Sequence, residues 1–457
     1  MHLVDLYLSA VEKAMTSGNH LLFTQIYMDS GSLERVVNTC GAPAWYRKWL
    51  TGYENMLRSL DSTFSDVTLP YWDVFEDASK RISTSTECSD LEACSPFLQD
   101  IGGCEGDEYT ASAYIVNGET ITGGNCANSS VAGYACSSDE SDCENCLPRG
   151  DWDIDGSSLE FGPTIFVDAL RQANHANTTN SALDVLREYL QNSVQLTLHS
   201  LLGGVYETRA AAFDPVFVGH YATMDLMFQF FQSCNQSVAL TESCDGSDGQ
   251  QVTSTSVIPM ELNGTSVEDH SELSAFFEDV GTTFEDLDAF SVKYEVDMFL
   301  QNMLTKFSLQ CDEGTSDDNA MAYATTASTF EDADAIDELV AAFAVCDQAS
   351  NVTGATGEAP STFVACELLS TLQNGVFTNF STPVREFFGV TLDDLPKCVD
   401  VLAAVTTLEV TLEPSAACQA AILDQTSIDT DDFTAASDGF AVVTRGVDDG
   451  DIRYMNP

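Results

Sequence analysis

Basic residues are scarce in this sequence: 17 Lys plus Arg stand against 72 Asp plus Glu in 457 residues, a formal net charge of −55. A nucleic-acid or anionic-membrane partner needs positive charge facing phosphate, so both are excluded. No apolar run reaches the roughly eighteen residues that cross a bilayer, which excludes insertion by a helix. The N-terminus carries Asp5, Glu12 and Lys13 where a secretory leader would be uncharged, so the chain is expected to be soluble and its leader absent. Histidine is rare too: there are six, at positions 2, 20, 175, 199, 220 and 270, and any site built from imidazole must draw on them. No phosphate-cradling glycine loop and no convincing Ser/His/Asp nucleophile signature is found.

What is plentiful is apolar residue, at 44%, enough to bury substantial cores in two or three domains and to exclude disorder throughout. Cysteine is plentiful as well. Seven of 15, at 88, 94, 104, 126, 136, 143 and 146, fall in loop-like sequence of the kind that disulfides staple in oxidising compartments. Six Asn-x-Ser/Thr sequons, at Asn128, Asn177, Asn235, Asn263, Asn351 and Asn379, agree with secretion and N-linked glycans. An odd cysteine count leaves one thiol free or paired elsewhere. The charge itself favours surroundings rich in salt or divalent cations, which relieve self-repulsion and bridge acidic faces.

Residues 5 to 80 read mainly as helix, with Leu6, Leu8, Val11 and Met15, then Leu22, Phe23 and Ile26, then Trp45, Trp49, Tyr53 and Leu57 at helical spacing. The periodicity lapses in a Cys-rich insertion over about 86–156. It returns over 165–202, with Leu183, Leu186, Leu190, Val194, Leu198 and Leu201 on one stripe, and again over 214–231. The fold class is mainly α, with a first domain over 1–233. A polar stretch over 234–280 reads as a glycosylated linker or loops, and 281–457 as an acidic, mostly helical region stapled by disulfides. That region holds a weak repeat: Phe284-Glu-Asp-Leu-Asp-Ala returns as Phe330-Glu-Asp-Ala-Asp-Ala, and the pairs Cys346/Cys366 and Cys398/Cys418 share one spacing. Helical spacing marks 335–345, 363–372 and 399–405.

The most specific string is WYRKWLTGYENMLRSLDSTFSDVTLPYWDVFED, from Trp45 to Asp77, and FDPVFVGHYATMD follows at Phe213–Asp225. Order, separation and helix content over about 5–232 resemble the tyrosinase, catechol oxidase and molluscan haemocyanin family of type 3 copper proteins. The resemblance implies a four-helix-bundle core in which six imidazoles, three per metal, hold two copper ions that bridge dioxygen. Its implied activities are phenol oxidation or oxygen carriage.

Carried over residue by residue, that ligand set is mostly gone. Tyr27 and Tyr46 stand at first-copper positions, and the stretch from Val37 to Cys40 offers no histidine for the remaining ligand. At the second copper the i, i+4 pair is Gln195 and His199, followed by Gly203-Gly204, and the third position is Tyr221. His220 is one residue away, a rotation of about 100°, and is expected to point off the site. One ligand of six survives. No copper is expected, and Tyr27, Tyr46 and Tyr221 are expected to fill the vacated volume, their hydroxyls bonding His199, Gln195 or one another.

Three weaker signals remain. Asp151, Asp153, Asp155 and Gly156 open like a calcium loop without its closing Glu, a candidate Ca2+ site set against a solvated acidic turn. Arg149-Gly-Asp151 spells an adhesion tripeptide, but Arg149 is expected to pair with a local carboxylate. Cys143 and Cys146 are expected to take separate disulfide partners. The sequence thus points to a secreted, non-catalytic glycoprotein scaffold that binds protein partners or itself in an extracellular matrix, wall or filament. The alternatives are a type 3 copper oxidoreductase or O2 carrier, and a binder of a small aromatic ligand.

Overall fold

The structure is a computed structural model, described here for residues 3–75, 77, 90–108, 114–136, 145–152, 186–234, 244–245, 251–288, 292, 294, 351–354 and 410–413. The chain divides into two compact units. One comprises Met1–Ala78, Thr86–Gln232 and Gln236–Val292; the other comprises Ser79–Ser85, Ser233–Asn235 and Lys293–Pro457.

The first unit has a helical core. Helix α1, Leu3–Ser17, buries Tyr7, Ala10, Val11 and Ala14 at the i, i+3, i+4, i+7 spacing of one helical face. Gly18 breaks it and α2 follows at Asn19–Met28, burying His20, Phe23, Thr24 and Ile26. Helix α3, Ala42–Ser59, starts with Pro43 in its first turn, where the missing N–H costs nothing. Its Trp45, Trp49, Tyr53, Met56 and Leu57 are fully buried, and Phe23 packs edge-on against both Trp49 and Tyr53. The Pro-Tyr-Trp-Asp segment then crosses to a second long helix: the Trp72 N–H donates to Gly219 O and to the Thr223 hydroxyl, and Thr223 donates to Trp72 O.

The cysteine-rich insertion is stitched by short strands. β1 (Gly106–Glu108), β4 (Asn125–Ala127) and β5 (Leu147–Arg149) form an antiparallel sheet in the order β1-β4-β5. β2 (Tyr114–Val116) and β3 (Glu119–Ile121) form a hairpin over Asn117-Gly118, both at positive φ as a type I′ turn requires. Cys126 pairs with Cys146, while Cys40, Cys94 and Cys136 are also in disulfides. Cys104 is a free, buried thiol whose Sγ donates to Asp151 O; burial and Glu92 push it up to about 12, so it stays protonated.

Past this loop a π-helical turn, Tyr189–Gln195, runs into α4, Leu196–Leu202. Gly203 and Gly204 end it at φ +57 and +55, and a Cβ on Gly204 would meet Pro148 O at 2.2 Å. Only glycine fits there. Helix α5, Val216–Cys234, completes the core.

Residues 252–280 depart from the expected linker. Ile258, Met260, Leu262, Val267, Leu273 and Phe277 are buried, Phe277 stacks on Phe23 and lies against Gly52, and the Trp45 indole donates to Pro259 O at 2.8 Å. Lys48 on α3 pairs with Glu268 at 2.5 Å, and Asn55 donates to Phe276 O. The apolar residues follow neither the helical nor the strand period because this segment is a succession of turns, so a window of polar average composition hid them. The first unit accordingly extends to Val292 rather than ending at 233.

In the second unit the described strands, Asn351–Gly354 and Val410–Glu413, pair antiparallel. The helices expected over 335–345, 363–372 and 399–405, the repeat at Phe330 and the cysteines from 346 to 418 lie outside the described residues.

Candidate functional site

The residues at five of the six ligand positions can be followed from their helices inward. Tyr27 comes from the end of α2, Tyr46 from the first turns of α3, Gln195 and His199 from the π/α4 helix, and Tyr221 from α5. The structure brings them together. Tyr46 and Tyr221 stack with ring centroids 4.1 Å apart, and the Tyr221 hydroxyl lies 3.4 Å from His199 Nε2. Tyr27 packs edge-on against Phe217 at 4.9 Å, one helical turn before Tyr221.

Every phenol here is held protonated. Burial raises Tyr46 and Tyr221 well above the ordinary tyrosine range; neighbouring phenols add to the rise. Burial pushes Tyr27 up to about 12, although the nearby Tyr221 hydroxyl lowers it. The imidazoles are held neutral for the same reason, with burial bringing His199 down to about 4. The Tyr46 hydroxyl and Gln195 Oε1 are buried without a well-formed hydrogen bond, although Tyr221 and Gln195 lie close enough to the Tyr46 phenol to offset part of its rise.

His220 departs from expectation. Its ring lies 4.7 Å from Tyr221 and 6.3 Å from His199, and its Nδ1 shares a hydrogen with the Tyr206 hydroxyl at 2.6 Å. Tyr206 projects from the 3-10 turn Gly204–Glu207, which reaches α5 from the side, so a residue rotated off the ligand axis still faces the second histidine. Sequence reasoning missed Tyr206; the Gly203-Gly204 break just before it was the signal that the chain doubles back there.

The other motif residues have structural partners. Arg47 is paired with Asp225 at 2.8 Å, both almost fully buried, which ties α3 to α5. Glu54 accepts the Leu69 N–H, fixing the segment that leads to Trp72. His20, fully buried, donates from Nε2 to Phe213 O at 2.9 Å, since a carbonyl only accepts, and its Nδ1 then accepts from the Tyr53 hydroxyl at 2.8 Å.

Residues 32–234 match the family model for the common central domain of tyrosinase. These residues carry a tyrosinase central domain. No curated protein and no solved structure matches the chain.

A tyrosinase centre holds two copper ions, and the residues present do not fit them. Two rings stacked at 4.1 Å leave no gap for an ion between Tyr46 and Tyr221, and protonated phenols and a neutral amide are poor replacements for imidazole. Residues 33–40 contain no histidine. Among the described residues no group of three or more His, Cys, Asp or Glu side chains is placed to hold a metal. For the candidate Ca2+ loop, Asp153 and Asp155 lie outside the described residues. The adhesion tripeptide is not displayed by the tyrosinase domain: Arg149 is fully buried and pairs with Asp214, 65 residues along the chain rather than nearby.

Three histidines make the domain acid-sensitive: His20 and His220, which are fully buried, and the largely buried His199; His220 is lowered well below its ordinary value by burial and by His199. His20 and His199 are both pushed from 6.5 down to about 4, chiefly by burial. Between these values the unfolded chain binds protons that the folded chain does not, so stability is full above about pH 6.5 and falls as pH drops toward 4. At about pH 5 each histidine should cost on the order of 2 kcal/mol. Melting temperature measured from pH 7 to 4.5 should therefore fall, and less steeply in His199→Gln; an identical slope in both proteins contradicts the assignment.

Proposed function

We propose that the tyrosinase domain of this chain is a non-catalytic scaffold, part of a secreted, N-glycosylated protein that works by binding protein partners or further copies of itself in an extracellular assembly, without copper. The observation that carries this is the Tyr46–Tyr221 stack, aromatic rings in contact where the family's metals would lie. The residues retained from the family's motifs support it. Arg47, Glu54, Trp72 and Asp225 hold helices and loops together, whereas five of the six ligand positions have lost imidazole. The fold has been kept and the chemistry let go.

Secretion is supported by the disulfide-stitched insertion and by sequon placement. Asn128 is exposed in the loop after β4, Asn263 is exposed at a turn and Asn351 lies in a strand, while Asn177, Asn235 and Asn379 lie outside the described residues. A charge of −55 would be relieved by salt or Ca2+, and acidic faces bridged by Ca2+ are a means of self-assembly. No helix among the described residues is long and apolar enough to cross a membrane.

The runner-up, a type 3 copper oxidoreductase or O2 carrier, is separated by metal analysis. Protein secreted from copper-supplemented cells, or reconstituted with copper and treated with peroxide, should carry no stoichiometric copper, show no peroxide-to-copper absorption band and leave diphenols unoxidised. Two coppers per chain with that band would overturn the proposal.

A further inference from the structure

An open groove runs between α1 and the 3-10 turn Ser130–Tyr134 that follows β4. It encloses about 510 Å3 and is lined by Leu8, Ser9 and Glu12 on the α1 side and by Asn128, Val131 and Tyr134 on the other. Tyr134 is among the few large apolar side chains left exposed, at 39%. Its hydroxyl interacts with the Glu12 carboxylate, which raises the phenol above its ordinary range. Ser9 Oγ donates to Asp5 O at 2.8 Å and so keeps its lone pairs for an incoming donor. Asn128 is exposed and opens the sequon Asn128-Ser-Ser130, whose last hydroxyl is bonded to Asp100 O at 2.6 Å.

We infer that this groove is the seat of the N-linked glycan carried by Asn128, with the innermost N-acetylglucosamine laid across the Tyr134 ring. The inference rests on the reading of the chain as secreted. A pyranose has a face of C–H groups and an edge of hydroxyls. The C–H face is attracted to the negative face of an aromatic ring, and the edge needs acceptors. The groove supplies both: Tyr134 and Leu8 as an apolar floor, Glu12 and Ser9 as acceptors at its side. It has no basic residue in its wall, so it suits a neutral ligand and not an anion. The occupant is chosen by tethering, because the attachment amide lies in the wall itself and gives the first sugar a high effective concentration there. Seated in this way, the sugar fastens the outer face of α1 to the disulfide-held insertion, whose Cys126 lies two residues before Asn128.

The test uses the full chain secreted from a eukaryotic host, with glycopeptide mass spectrometry for occupancy and thermal unfolding for the effect. Asn128 should be occupied. Asn128→Gln should lower the melting temperature by about 2–4 °C, and trimming the glycan to its innermost sugar should not. In a Tyr134→Ala background the loss from Asn128→Gln should vanish, as coupling between contacting groups demands. An equal loss in both backgrounds, or no loss in either, overturns the seat and means a glycan projecting into solvent. An unmodified Asn128 beside occupied sequons elsewhere also overturns the seat but leaves secretion standing. If no sequon is occupied, the reading of the chain as secreted fails with it.

Discussion

The double variant Gln195→His/Tyr221→His should take up one copper per chain at concentrations where the proposal expects the wild-type protein to take up none. With His199 it would present three imidazoles from α4 and α5. The 195/199 pair is one helical turn apart, which places both side chains on one face, and residue 221 already faces His199, since the present Tyr221 hydroxyl lies 3.4 Å from Nε2. The change also dissolves the Tyr46–Tyr221 stack and frees the volume that the ring fills. Copper(II) binding, read by titration and by electron paramagnetic resonance, should tighten by about a hundredfold or more, roughly 2.8 kcal/mol. Catalysis should not return, because Tyr27 and Tyr46 remain and residues 33–40 offer no histidine. Unchanged copper affinity in a variant that retains its helical circular dichroism would show that these are not the former ligand positions, and the account of a vacated centre would fall.

How much of this was readable beforehand differs from element to element. The helical core was legible because buried helices write their period into the sequence: Trp45, Trp49, Tyr53 and Leu57 on α3, and Leu186, Leu190, Val194 and Leu198 on the run into α4, are all buried, whereas Leu201 from the same stripe is half-buried and Leu202 takes the inward place. The convergence of Tyr27, Tyr46, Gln195, His199 and Tyr221 was legible through the family motifs that locate them. Where side chains approach from outside the ligand helices, the sequence was silent. The orientation of His220 depends on Tyr206, delivered by a turn whose path is set by two glycines, and a rotation angle on α5 alone carries no information about it. The placement of 252–280 against α3 was hidden because turns bury apolar residues without a period, and the Cys126–Cys146 pairing because spacing does not determine connectivity. Buried ion pairs were hidden most of all, since each joins residues remote in sequence.

Arg149→Met should be the most destabilising of the single substitutions considered, by about 3–5 kcal/mol, because it strands a carboxylate inside the protein. Arg149 is fully buried at the end of β5. Its guanidinium grips Asp214 through two bonds of 2.7 and 2.9 Å, donates to Gly103 O at 2.6 Å and Ile101 O at 3.3 Å, and lies over the Trp152 ring at 5.3 Å. Asp214 in turn accepts the Val216 N–H at 3.0 Å at the start of α5, the helix that carries His220 and Tyr221. One ion pair thus joins the insertion sheet, the turn at Ile101–Gly103 and the start of α5. In a unit of this size the loss should lower the melting temperature by roughly 10 °C or more. Arg149→Lys should fall in between, because an ammonium cannot reproduce the two-pronged contact. The double variant Arg149→Met/Asp214→Asn should recover much of the loss, since no uncompensated charge is then buried, and that recovery separates an ion-pair effect from simple loss of packing. A loss below about 1 kcal/mol for Arg149→Met would be the behaviour of a solvent-exposed pair and would mean that the arginine is at the surface after all, where the Arg-Gly-Asp tripeptide could be read by a receptor.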